Sequence, residues 1–144
     1  MGRGTHDLYT AWILVGNVPS SDGPLAILEN SHRLESLKNT YGALDVDRDR
    51  DKDPYGGGRL SESPVEVQER FGGRWLTAEF RAGDLLLFTM FTLHCSLDNV
   101  SPRVRLSTDS RYQRASDPAD GRWIGEDAVG HGKQARASGK RSPE

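Results

Sequence analysis

Apolar residues in this chain come in short runs separated by long polar stretches, and the runs have the length of strands rather than helices. Residues 7–16, DLYTAWILVG, gather Leu, Tyr, Thr, Trp, Ile and Val, and the GNVPSSDGP that follows is dense in turn formers. A strand and then a loop are predicted there. PLAILE (24–29) predicts a second strand, and NSHRLESL (30–37) predicts a helical turn with Ser31 as its N-cap. SPVEVQERFGG (63–73) carries a full set of helix signals: Ser63 as cap, Pro64 at the first helical position, Glu66 completing a Ser-x-x-Glu box and Gly72 as stop. After it, RWLTAEF (74–80), LLLFTMFTLH (85–94) and RVRLSTDSRY (103–112) alternate or are apolar throughout, with the turn RAGD and the polar bend CSLDNVSP between them. The second half is therefore predicted to be mostly antiparallel sheet.

Two stretches have little to bury. Residues 45–59, DVDRDRDKDPYGGGR, mix alternating charges with a glycine run and predict a mobile loop. Residues 125–144 predict a disordered or loosely packed tail. Residues 1–124 then form one domain of short strands, long connections and little helix, which points to a mainly β fold of the jelly-roll kind.

Composition narrows the partners. At 144 residues the chain has room for one domain with a real core, yet only 35% of it is hydrophobic, with 16 glycines and 7 prolines. Lys plus Arg (19) nearly balances Asp plus Glu (21), which argues against nucleic acid as a partner. The longest apolar stretches fall far short of a bilayer span, and MGRGTHD lacks the order of a signal peptide. A cytoplasmic chain with no membrane partner is expected, and the single cysteine, Cys95, agrees with a reducing compartment.

The candidate chemistry sits around His94 and Arg105. An imidazole at a strand end is a ready transition-metal ligand, although a histidine beside a sheet is more often structural. If Arg105 lies on the strand after the bend, Arg105, Ser107, Asp109 and Arg111 share one face, and residues 104, 106, 108, 110 and 112 share the other. The polar face is either solvent-exposed or turned into a cavity, where the Arg105 fork would grip a carboxylate with two parallel hydrogen bonds. Ser96, two residues after His94, would add a hydroxyl. Cys95 alternates away from His94 and is expected to be a buried small hydrophobe outside any site. The acidic run at 45–53 lacks the glycine that a calcium loop turns on, and no nucleophile elbow, phosphate loop or Cys-x-x-Cys is present.

Taken together, YTAWILVGNVPSSDGPLAILENSHR and GDLLLFTMFTLHCSLDNVSPRVRLSTDSRY resemble the phytanoyl-CoA dioxygenase family of Fe(II)- and 2-oxoglutarate-dependent oxygenases. The first stretch matches a tryptophan, a loop, a Gly-x-Leu strand and a Ser-His turn. The second matches a Gly-Asp strand, a distal histidine with a serine two residues on, an asparagine beyond, and an arginine eleven residues after the histidine. The resemblance implies a double-stranded β-helix, the cupin-like jelly roll, acting as a hydroxylase on a small organic molecule with Fe(II) and 2-oxoglutarate. It implies that His94 is the distal iron ligand, that Arg105 pairs with the far carboxylate of 2-oxoglutarate with help from Ser96, that Trp12 lines the cosubstrate pocket, and that His32 bonds nearby backbone.

The likeness is incomplete. The family's other two iron ligands form a His-x-Asp ahead of the tryptophan, and counting back from Trp12 puts that motif before Met1. His6 and Asp7 are adjacent and would point to opposite faces, and His131 lies in the tail. The expectation is a C-terminal fragment of a longer enzyme, a jelly roll incomplete at its N-terminus, which self-associates through exposed sheet edges. The alternative is a non-catalytic jelly-roll binding module that has lost its metal site.

Overall fold

A computed structural model of the chain describes residues 4–45, 49, 52, 59–126, 128 and 130. Most of the loop expected at 45–59, much of the tail expected from 125 and His131 lie outside the described residues. The backbone gathers into two compact units, one of residues 1–6, 35–63 and 113–144, the other of residues 7–34 and 64–112.

The second unit holds the sheets. Its organising strand is β1 (Tyr9–Leu14), in which Thr10, Trp12 and Leu14 bury one face and Ala11 is buried on the other. β1 pairs antiparallel with β4 (Leu85–Thr89) on one side and β6 (Ser107–Tyr112) on the other. The second sheet has the order β3-β2-β5, with β2 (Leu25–Leu28) central between β3 (Trp75–Leu76) and β5 (His94–Ser96), again antiparallel. Following the chain, β1 lies in the first sheet, β2 and β3 in the second, β4 in the first, β5 in the second and β6 in the first. This crossing back and forth is how a jelly roll is wound. A jelly roll carries eight strands; the described residues supply six, three to a sheet.

The two sheets meet over a small apolar core. Trp12, Leu14, Val18, Leu25 and Phe88 form it, with Phe80 and Leu86 packed against them. Phe80 meets the Trp12 indole edge to face, with ring centres 5.2 Å apart, the geometry favoured by the ring quadrupoles.

Three expectations from sequence need correcting. The run at 85–94 is not one strand: it turns at Met90 and Phe91, where the Thr92 N–H donates to the Thr89 carbonyl, and His94 begins a strand of the other sheet. Hydrophobicity is continuous across that turn because both strands are partly buried, so the pattern gave no sign of the break. Ser31 does not cap a helix. It opens a 3-10 turn, Ser31–Arg33, after Asn30 in the left-handed region, and its buried hydroxyl accepts the Leu93 N–H at 2.9 Å. This bond anchors the segment leading into His94. RWLTAEF forms only the short β3 and a single bridge, Val18 to Phe80. The helix α2 (Pro64–Phe71) starts and stops where its signals predict, with Gly72 at φ 70 ending it.

The first unit contains α1 (Glu35–Lys38), a 3-10 turn Tyr41–Ala43, the buried Leu37 and a buried charge cluster. Arg122 is 2% exposed there, paired with Asp120 and with Asp45 at 3.5 Å. Buried charges of this kind persist only when mutually paired, which holds the segment around 120 to that around 45. Among the described residues no helix is long and apolar enough to cross a membrane.

Candidate functional site

Between the sheets of the second unit lies a cavity of 410 Å³. Its walls combine Trp12 of β1, Phe88 of β4, His94 and Ser96 of β5, and Arg105 just ahead of β6. All four residues singled out from sequence, His94, Ser96, Arg105 and Trp12, line this one space although 93 residues separate the first from the last. Ser107 and Asp109 line it as well. Of the polar face predicted for this segment, Arg105, Ser107 and Asp109 border the cavity and Arg111 does not, while Val104 (85% exposed) and Leu106 (63%) lie at the surface. Arg105 is half-buried at the cavity wall, while the Asp109 side chain is about half exposed.

Arg105 is held on three sides. One guanidinium nitrogen, Nη1, donates a short hydrogen bond to the Gly23 carbonyl, and Nη2 donates to the Ser96 hydroxyl at 3.2 Å. The guanidinium carbon stands 5.2 Å from the centre of the Trp12 ring, within range of a cation–π attraction. Trp12 is itself fixed, because its indole N–H donates to the Ser107 hydroxyl at 3.0 Å. A planar cation that is immobilised beside a hydroxyl suits the two oxygens of a carboxylate.

Gly23 makes this possible. Its φ is +67, and a Cβ added to it would lie 2.4 Å from the Leu97 carbonyl oxygen, so only glycine lets the two backbones pass. The turn is pinned beside it by Asp22, which accepts from Arg103 at 3.0 Å and bridges to Asn99. Burial pushes the Asp22 carboxyl up, but hydrogen bonds from Arg103, Ser101 and Ser21 and the charge of Arg103 outweigh it and hold the group below the ordinary carboxylate value. The sequence reading passed over Gly23, although the Ser-Asp-Gly-Pro turn signal was there. Ser107 and Asp109 were on the face it described, and only their direction was open.

His94 has a defined tautomer. Its Nδ1 lies 2.9 Å from the Thr92 carbonyl, which can only accept, so Nδ1 carries the proton and Nε2 is the nitrogen left for another partner. The ring packs against Phe88 with centroids 4.8 Å apart. Cys95 departs from expectation: it is half-buried and borders the same cavity as His94. Burial pushes its thiol up, which keeps it protonated and a poor nucleophile at neutral pH.

The residues present do not amount to an iron site. Among the described residues no group of three or more His, Cys, Asp or Glu comes together to hold a metal ion, and neither His6 nor Asp7 joins His94 in one. Arg105, Ser96 and Trp12 come together at one wall of the cavity, and His94 stands at the same cavity in no group of three metal-ligating side chains among the described residues.

A family model described as phytanoyl-CoA dioxygenase (PhyH) matches residues 3–107. Among solved structures, the crystal structure of the non-heme alpha ketoglutarate dependent epimerase SnoN from nogalamycin biosynthesis superposes with a TM-score of 0.55 at 23% identity. The match takes in 81% of this chain and spans 39% of the SnoN chain, a likeness that shows the shared jelly-roll fold. No curated protein matches.

Proposed function

The chain belongs to the phytanoyl-CoA dioxygenase family, and on that premise we propose that it carries the 2-oxoglutarate-binding half of an Fe(II)- and 2-oxoglutarate-dependent oxygenase acting on a small organic molecule. The observation that carries this reading is the Arg105 fork, fixed by Gly23, Ser96 and Trp12 at the wall of the cavity that His94 also lines. In this reading Arg105 and Ser96 bind the far carboxylate of 2-oxoglutarate, Trp12 forms the apolar wall along its carbon chain, and the Nε2 of His94 is one iron ligand. Bound iron would supply the activation of dioxygen. The chain's own contribution is to orient the cosubstrate and keep water from it. One histidine does not give a metal the affinity or the open geometry that catalysis needs, so this reading requires further ligands besides the described residues.

The lack of a metal-holding group among the described residues favours a second reading, a jelly-roll module that binds a carboxylate without catalysing anything. One assay separates the two. The chain and the chain extended by its in-frame upstream sequence are incubated with Fe(II), dioxygen and 2-oxoglutarate, and succinate is measured. The oxygenase reading expects succinate from the extended protein only, and a loss of about ten- to a hundredfold on Arg105→Ala, the worth of a charge-assisted contact. Carboxylate binding with no succinate from either form supports the module instead.

A further inference from the structure

We propose that Asp109 makes this cavity selective for a ligand bearing a basic nitrogen, so that the prime substrate is an amine-containing small molecule. The inference rests on the reading of Arg105 as the 2-oxoglutarate anchor.

Asp109 stands on the cavity side of β6, directly across from Trp12 in the strand register, and it is the one acid among the described residues that line the cavity. Its charge is poorly answered by its surroundings. The Arg105 guanidinium makes no hydrogen bond or ion pair with Asp109: its contacts are the Gly23 carbonyl, the Ser96 hydroxyl and the Trp12 ring, and in the reading above its charge is answered by the cosubstrate. The His94 Nδ1–H is engaged with the Thr92 carbonyl. What remains is Arg111, two residues along the same face, whose Nη2 comes within only 3.7 Å of one Asp109 oxygen while both side chains are about half exposed. A contact that long between solvated groups is weak and is screened by salt. The carboxylate therefore meets the cavity as an anion able to take a stronger partner.

Spacing separates it from the cosubstrate. Asp109 follows Arg105 by four residues along the cavity wall, and in the reading above a diacid held at Arg105 runs toward His94, which leaves Asp109 to a second molecule. A wall with a carboxylate beside the aromatic Trp12 and Phe88 suits an alkylammonium, whose charge seeks the acid and whose carbons seek the rings. An anionic substrate would meet repulsion at the same place, which makes Asp109 a specificity residue by exclusion as well as by attraction.

The test follows the Trp12 indole N–H in proton–nitrogen spectra of the 144-residue chain. The chain is titrated first with 2-oxoglutarate, then with 3-phenylpropylamine and its neutral counterpart 3-phenylpropanol. Expected are saturable binding of the amine at least tenfold tighter than the alcohol, a weakening of the amine alone as salt is raised, and loss of the preference in Asp109→Asn with its retention in Asp109→Glu. The dispersion of each spectrum shows whether the variant is folded, and the Glu variant carries the test if the Asn variant is not. Saturable 2-oxoglutarate binding with amine and alcohol bound alike overturns this inference alone. Failure of 2-oxoglutarate to bind overturns the reading beneath it, and the inference with it.

Discussion

Arg105 owes its position to residues drawn from four places in the chain: Trp12, Gly23, Ser96 and, through the indole, Ser107. The resemblance to the family singled it out in the sequence, as the arginine eleven residues after His94, and the structure brings the two to one cavity. Its support was not singled out. Gly23 matters through its carbonyl and through the space a side chain would fill, neither of which leaves a mark on hydrophobic pattern. The prediction at this scale is that Gly23→Ala costs about 1–2 kcal/mol from the left-handed backbone alone, with the clash against the Leu97 carbonyl added. Because the displaced turn carries the Gly23 carbonyl, 2-oxoglutarate binding should weaken in a protein that still folds. Chemical denaturation and a binding titration on the same preparation check both halves, and unchanged stability would show that the turn has another conformation open to it.

Single elements show where pattern reading works and where it fails. The helix α2 was readable to within a residue, since its proline, its acidic first turn and its terminal glycine are local chemistry. The strands β4 and β5 were merged, since the turn between them is set by the tertiary pairing of each with a different sheet. Ser31 misled for a related reason: a serine before a helical turn looks like a cap, and its actual partner, the Leu93 N–H, is 62 residues away. The turn before β2 has its own pH signature. The Asp22 carboxyl is held below its ordinary value in the folded chain, so its ionised form stabilises that state. That contribution is present at pH values above the ordinary carboxylate value and is lost as pH falls through the lowered one. Thermal melts of the parent and Asp22→Asn across the acid range should therefore converge as pH drops. Curves that stay parallel would mean the Arg103 pair contributes nothing.

The molecule as a whole carries apolar surface on the side of the first sheet away from the cavity. Leu85 and Leu87 are each 56% exposed on β4, paired in register with Ile13 and Ala11 of β1, and Tyr9 and Tyr112 lie on the same face. Among the described residues β4 and β6 are edge strands of that sheet, and β3 and β5 of the other. Aliphatic faces beside open edges are where sheets recruit further sheets. Sedimentation velocity should show the chain associating with copies of itself as concentration rises, and Leu85→Lys with Leu87→Lys should return it toward monomer. A single monomeric boundary at every concentration would contradict this. The fold class was legible at this scale because strand-length runs and turn signals are distributed along the whole chain, while the separate unit built on the buried Arg122 was not. A lone arginine in a polar stretch reads as solvated until its partners are known.

The central claim is that Arg105 is an anchor for a dicarboxylate. Calorimetric titration of 2-oxoglutarate into the 144-residue chain, with no metal added, tests it most directly. The account predicts saturable binding that weakens by about tenfold or more in Arg105→Ala while the variant remains folded. Equal binding by parent and variant, or no binding by the parent, would contradict it.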